Sequence, residues 1–409
     1  MRFVTIVPTT LVVLLGGCDE VPTRSSAAET DSAGITIVTN RPPFAAWHVA
    51  DSPVVRVGVQ EGEAPYQLHD VRFAARLSDG RVVVIDGGSQ ELRWFTAAGS
   101  HRSTLGRRGA GPGEFGNVRS AFVTRGDSIV VMDVGNQRVS WISPEESFVR
   151  EDVVSDFGTG DKHVLGVAMD GRLRISNHRY TYNVARPGFN PTRDSLLLLL
   201  FSAAGVDSVA RLPGDETSTW VQFDNGRPSR MMQWGLGYGY LTLIGSTREH
   251  FIVARGEHGQ VEMLDTTGKV VRMSRRDGLH AAAVTQADRD QFVQYWVEEA
   301  RARGVRDVAE VERGRRDEMH ALPEDHSIPP FDRLLVDAED RIWLRDYAAA
   351  WLAGPVQVWT IQDGDGRVLA RISIPRNLVV THVGPEYVTG VERDELDVET
   401  VVVYRIERG

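Results

Sequence analysis

The chain has 409 residues, 42% of them hydrophobic and 25% charged, which supplies a large core and is ordinary for a folded soluble protein. Its 46 Lys and Arg against 56 Asp and Glu give a formal net charge of −10, a field that repels phosphate backbones and argues against nucleic acid as a partner. The chain has 1 cysteine, Cys18, so no intramolecular disulfide or cysteine metal cage is available, and no HExxH, GxSxG or phosphate-loop pattern occurs.

Residues 1–17 read as a leader. Arg2 supplies a positive start, Val4 to Leu15 an apolar run too short to span a bilayer comfortably, and Leu15-Gly16-Gly17-Cys18 has the small residues before a cysteine that mark a lipoprotein cleavage site. Cys18 is then the lipidation site and the mature N-terminus. Residues 18–33, rich in Ser, Thr, Glu, Asp and Ala, read as a flexible tether.

From residue 34 to 409 the pattern is of short strands. Gly34 to Thr39 and Pro53 to Gly58 are strand-like and precede the first complete unit, so one or both are expected to pair with the C-terminal strand Val401 to Ile406 and close a circular sheet array. The glycine-rich loop Leu105 to Phe115, LGRRGAGPGEF, separates two units of the same order. Val82 and Ile129, Asp86 and Asp133, and Leu92 and Val139 are each 47 residues apart. A repeat of roughly 45 residues, each a small antiparallel sheet, reads as a β-propeller blade.

Blade one is expected over about Val71 to Leu105, blade two over Val118 to Val154, and blade three from near His163. The leucine run at 196–200 reads as a buried strand, Pro213 to Gly237 as a loop, and three further blades follow. A helical insertion at 281–329 interrupts blades four and five. Thr285 with Asp288 resembles a capping box, and the pair of helices is expected on the rim or, alternatively, as a lid. The fold class is therefore all-β: a six-bladed β-propeller of four-stranded antiparallel blades with one helical insertion.

The GAGPGEF loop, the run ending in Asp133, and Asn136-Gln137-Arg138-Val139 leading into Trp141-Ile142 resemble the NHL-type six-bladed β-propeller superfamily, in particular its bacterial lipoproteins. Members of such families serve as binding scaffolds, lyases or lactonases, so the resemblance implies a fold and leaves the activity open.

Counting ten residues back from Val82, Ile129, Leu173, Phe251 and Ile342 gives Arg72, Arg119, His163, Leu241 and Asp332 as the starts of the innermost strands. Arg72, Arg119, His163 and Asp332 are the candidate channel residues for a small anionic ligand, with pairing of Asp332 to an arginine across the channel as the competing structural role. Resemblance to amidating lyases would instead gather His69, His163 and His382 around zinc, and gluconolactonase-like enzymes would hold a divalent cation such as calcium. Asp363-Gly364-Asp365-Gly366 reads as a hairpin turn rather than a calcium loop, and Asp86, Asp133 and Asp346 as turn-capping carboxylates. No metal or cofactor is assigned. The expectation is a monomeric, lipid-anchored protein of the cell envelope, facing the periplasm or exterior, that binds a ligand or protein partner without catalysis. The alternative is a metal-dependent lyase or lactonase-like hydrolase.

Overall fold

A computed structural model describes residues 26–154, 160–279, 281–352 and 354–408; residues 1–17, expected to be a leader, and Cys18 lie outside the described residues. Numbered in chain order, the first strands are β1 (Ser26–Ser32), β2 (Ile35–Arg41), β3 (Ala45–Val49) and β4 (Val55–Val57). The meander β5 (Val71–Arg76), β6 (Val82–Asp86), β7 (Glu91–Phe95) and β8 (His101–Leu105) follows. The next is β9 (Val118–Val123), β10 (Ile129–Asp133), β11 (Arg138–Ile142) and β12 (Phe148–Val153), and both are antiparallel in sequence order, as the repeat requires. The third sheet holds β13 (Asp161–Val167), β14 (Leu173–Arg179), β15 (Gly188–Ser202), β16 (Gly205–Asp224) and β17 (Arg227–Gly235).

A fourth meander, β18 (Thr242–Ser246), β19 (Phe251–Arg255), β20 (Gln260–Leu264) and β21 (Val270–Arg276), is extended by β2 and β1. The remaining strands are β22 (Phe331–Val336), β23 (Ile342–Asp346), β24 (Val356–Gln362) and β25 (Val368–Pro375), then β26 (Val379–Val383), β27 (Tyr387–Arg393) and β28 (Glu399–Arg408). These two groups are bridged by β3, which runs parallel to β25 and antiparallel to the end of β28. The described chain is thus all-β apart from one helical insertion, and propeller-like: β5, β9, β13, β18, β22 and β26 each lie beside the next, and β26 returns to β5.

The second strand of each repeat is covered on both faces, which is why VVVID and IVVMD read as unbroken apolar runs. Between neighbouring sheets these residues interleave; Val83, Ile85, Trp94, Val118 and Ile129 share one cluster. The GAGPGEF loop is held by the sheet that follows it. Phe115 is fully buried, Asn136 Nδ2 donates to the Gly109 carbonyl at 2.8 Å, and Arg138 Nη2 donates to the Gly111 carbonyl at 2.9 Å. At Gly106, φ is +87° and a Cβ would meet the Phe115 ring at 2.5 Å, so only glycine fits there. Arg107 is paired to Glu114 at 2.6 Å.

Asp86 and Asp133 cap turns as expected. Asp86 accepts the backbone N–H of His69 at 2.9 Å and of Ser89 at 2.8 Å, and Asp133 those of Gly116 and Asn117 at 2.9 and 2.8 Å. Asp346 differs, pairing with the side chains of Arg276 and Arg371. Asp363 Oδ1 accepts the N–H groups of Asp365 and Arg367 at 3.0 and 2.8 Å, the signature of a hairpin turn.

Of the two leading strands, β4 pairs with the last described strand β28 through Val57 opposite Val401, as expected. β2 instead lies parallel to β21. Two expectations are corrected. Residues 26–32 are not tether but the edge strand β1, held by seven pairs to β2 and by Glu29 with Arg367 at 2.5 Å. The stretch 213–237 is not loop: β16 and β17 pair antiparallel through Thr217 to Asp224, with Thr217 opposite Gly235 and Asp224 opposite Arg227. Leu196 to Leu200 form the buried strand the sequence indicates.

The insertion folds as α1 (Gln286–Ala302) and α2 (Val308–Ala321). Thr285 and Asp288 make the reciprocal capping box. Phe292, Val293, Val297 and Met319 pack onto Leu236 and Tyr238 in a core of their own. Arg315 lies 4.3 Å from the Trp296 ring and pairs at 2.6 Å with the fully buried Glu318, which also accepts the Gly237 N–H at 3.0 Å. These contacts fix the helices to the segment Leu236 to Tyr238 that follows β17.

Candidate functional site

The first strands reach the channel through a shared irregularity. In β5, β9 and β22 the pairing to the second strand skips one residue, at Arg72, Arg119 and Asp332. The three register-equivalent positions are therefore one structural feature, a β-bulge that re-aims its side chain. Each is used in an ion pair. Arg72 meets Asp70 at 2.6 Å. Arg119 forks onto Asp161, with Nε to Oδ1 at 2.9 Å and Nη2 on Oδ2. Asp332 takes Arg345 Nε at 2.5 Å and the Ala348 N–H at 2.8 Å. The arginine on Asp332 thus comes from the adjacent strand β23 rather than from across the channel.

His163 is not bulged; it pairs opposite Ser176. Its ring stands 3.6 Å from Asp161 and edge-on to His178, with centroids 5.8 Å apart. Burial pushes the Asp161 carboxyl towards neutrality, but the His163 and Arg119 side chains override it and hold the group well below the usual carboxylate range. Burial lowers His178, and burial with the adjacent Asp161 raises Tyr180, whose hydroxyl lies 3.3 Å from that carboxylate.

His163 and Asp332 do come together at one mouth of the channel. They line a cavity of about 330 Å³ with Ser120, Ser176, His178, Asp215, Thr242 and Arg333. Arg333 is the residue the register count missed by one. It follows the bulge, at the position occupied by Phe73 in β5 and Ser120 in β9. Among the described residues it has no hydrogen bond and no carboxylate at ion-pair distance. Burial, with Arg345 beside it, lowers its pKa to about 10, so it remains cationic at neutral pH. A guanidinium on an innermost strand that faces a cavity and has no partner among the described residues has its donors open to a group in that cavity.

Below the mouth the channel narrows to Phe73, Phe122, Val164, Ile244, Leu334 and His382. His382 packs edge-on to Phe73, and burial among these groups lowers its pKa to about 4. Beyond the constriction, Arg125 and Arg248 both pair with Asp340, at 3.1 and 2.8 Å. His69, His163 and His382 are not gathered: a Cβ on Gly88 would touch His69, His163 is at the mouth and His382 in the constriction. Among the described residues no group of three or more His, Cys, Asp or Glu is placed to hold a metal ion.

No known family profile matches the chain, and no curated protein sequence matches it. Among solved structures, a protein described as exported from Bacteroides fragilis is similar with a TM-score of 0.45 and 11% identity, over 90% of this chain and 100% of that one. A Bacteroides vulgatus protein from a family of unknown function matches at 0.44 and 8%, over 88% and 98%. A virginiamycin B lyase from Staphylococcus aureus matches at 0.38 and 8%, over 94% and 99%.

Proposed function

We propose that the chain is an NHL-type six-bladed propeller of the cell envelope, anchored by lipid on Cys18, whose channel mouth binds a small ligand through a carboxylate or similar oxyanion. The fold part of this reading rests on six first strands that close a cycle and on β4 joining β28. The anchor rests on the Leu15 to Cys18 pattern. Among the described residues no helix is long and apolar enough to cross a membrane.

One observation carries the ligand class: Arg333 presents an unpaired guanidinium to the mouth cavity. Its planar fork matches a carboxylate. Ser120 and Ser176 supply hydroxyls and His163 and His178 ring nitrogens in the same cavity, enough to orient a small polar molecule. Arg72 and Arg119 contribute less, because Asp70 and Asp161 already satisfy them. Asp161 is committed to Arg119, and among the described residues no hydrogen bond joins the Ser120 or Ser176 hydroxyl to a histidine ring, which supports binding rather than catalysis. The test is thermal unfolding of residues 26–409 with acetate, succinate, sulfate or phosphate. At least one is expected to raise the midpoint in a saturable way; no rise with any of them overturns the ligand class.

A further inference from the structure

The strand β1 fixes where the N-terminal tether leaves the fold, and so which face meets the membrane. Ser26 pairs with Arg41, and Asn40 with Arg276. From there the register runs inward through Arg275 opposite Gln260, Gln260 opposite Arg255, and Arg255 opposite Thr242. Thr242 lines the mouth cavity. The chain therefore enters its first strand level with the channel mouth, on the outer edge of the same sheet. Glu29 holds this strand through Arg367 and Arg272, so the entry point is part of the body.

Seven residues separate Ser26 from Cys18. Fully extended, that stretch reaches about 27 Å. The strand β1 is itself about 23 Å long over its 7 residues. A bilayer on the opposite face, where Met169 sits in the turn between β13 and β14, would consume nearly the whole tether in running back along the body.

The mouth side is also where the fold projects. Arg179 opposite Ser195 is the last pair of β14 with β15, yet β15 and β16 continue past it, up to Gly188 opposite Val221, and β17 completes a three-stranded arm. The edge strand β17 exposes Met231 and Met232 beside Arg227 and Arg230. Apolar side chains flanked by arginines suit the headgroup boundary of an anionic bilayer.

We propose that the mouth-bearing face lies against the bilayer that holds the N-terminus, with the β17 edge as its contact. The ligand then enters the channel from the thin layer beside the membrane. This inference rests on the Cys18 anchor proposed above. Both are read in one experiment on the full lipidated chain, reconstituted in vesicles of phosphatidylglycerol and phosphatidylethanolamine. Flotation of the wild type but not of Cys18→Ser reports the anchor.

Orientation is reported by energy transfer to a headgroup acceptor from a dye on Arg230→Cys or on Met169→Cys, Cys18 being capped by its lipid. The expected result is flotation with several-fold greater transfer from position 230. Flotation with equal transfer, or more from position 169, overturns the orientation and leaves the anchor standing. No flotation of the wild type overturns the anchor, and the orientation with it.

Discussion

Arg119 on β9 and Asp161 on β13 join two neighbouring first strands through a two-point ion pair at the mouth of the channel. Together with the Ser120 hydroxyl, which accepts the Val164 N–H at 3.1 Å, it stitches adjacent sheets where no backbone ladder connects them. Removing Asp161 strips Arg119 of its carboxylate, and removing Arg119 leaves Asp161 with only His163 and the Tyr180 hydroxyl beside it. Arg119→Ala and Asp161→Asn are each expected to lower stability, with a coupling of about 0.5–1 kcal/mol in the double-mutant cycle, read by urea unfolding.

The same pair has a pH signature. The folded-state pKa of Asp161 is depressed, so its stabilisation is fully present above the unfolded carboxylate value of about 3.9 and is lost as pH falls below it. Asp161→Asn is expected to lose less stability than the wild type between pH 6 and pH 3. An equal loss in both proteins contradicts the pairing.

Arg333 is expected to behave in the opposite sense. A cation without a partner on an inner strand costs stability, so Arg333→Met should raise the unfolding free energy by about 1 kcal/mol while removing anion binding. A clear loss of stability would give Arg333 a structural role instead.

His382 sets the acid limit of the constriction. Its pKa falls from 6.5 to about 4 on folding, so between these values the unfolded chain binds more protons and stability declines as pH drops. The decline attributable to this ring is on the order of 3 kcal/mol. His382→Phe should flatten the curve between pH 6.5 and pH 4; an unchanged curve contradicts the neutral, buried imidazole.

Gly106→Ala tests the loop after the first repeat. The substitution meets both a φ of +87° and the Phe115 ring at 2.5 Å, and should cost about 2 kcal/mol or more by urea unfolding.

Much of this fold was legible in the sequence because the repeat is carried by local chemistry. Asp86 and Asp133 cap equivalent turns, the second strands are apolar throughout, and Thr285 with Asp288 announces α1. What was not legible depends on distant partners. β1 is polar, and only its ladder to β2 makes it a strand. The β15–β17 arm departs from the repeat and leaves no periodic trace.

The position of the candidate site was legible to within one residue of Arg333. Counting the repeat found Arg72, Arg119 and Asp332, which do share one position, but that position is a bulge whose side chain pairs locally. No sequence pattern reveals that the residue after the bulge, Arg333, keeps its charge unpaired.

The central claim is that this guanidinium receives an anion, and calorimetric titration tests it most directly. Wild-type protein and Arg333→Met would be titrated with acetate, succinate, sulfate and phosphate under the same salt conditions. The account predicts that at least one of them binds the wild type and binds the variant about tenfold more weakly or worse. Equal affinity in both proteins, or no binding of any of the four to the wild type, would contradict it.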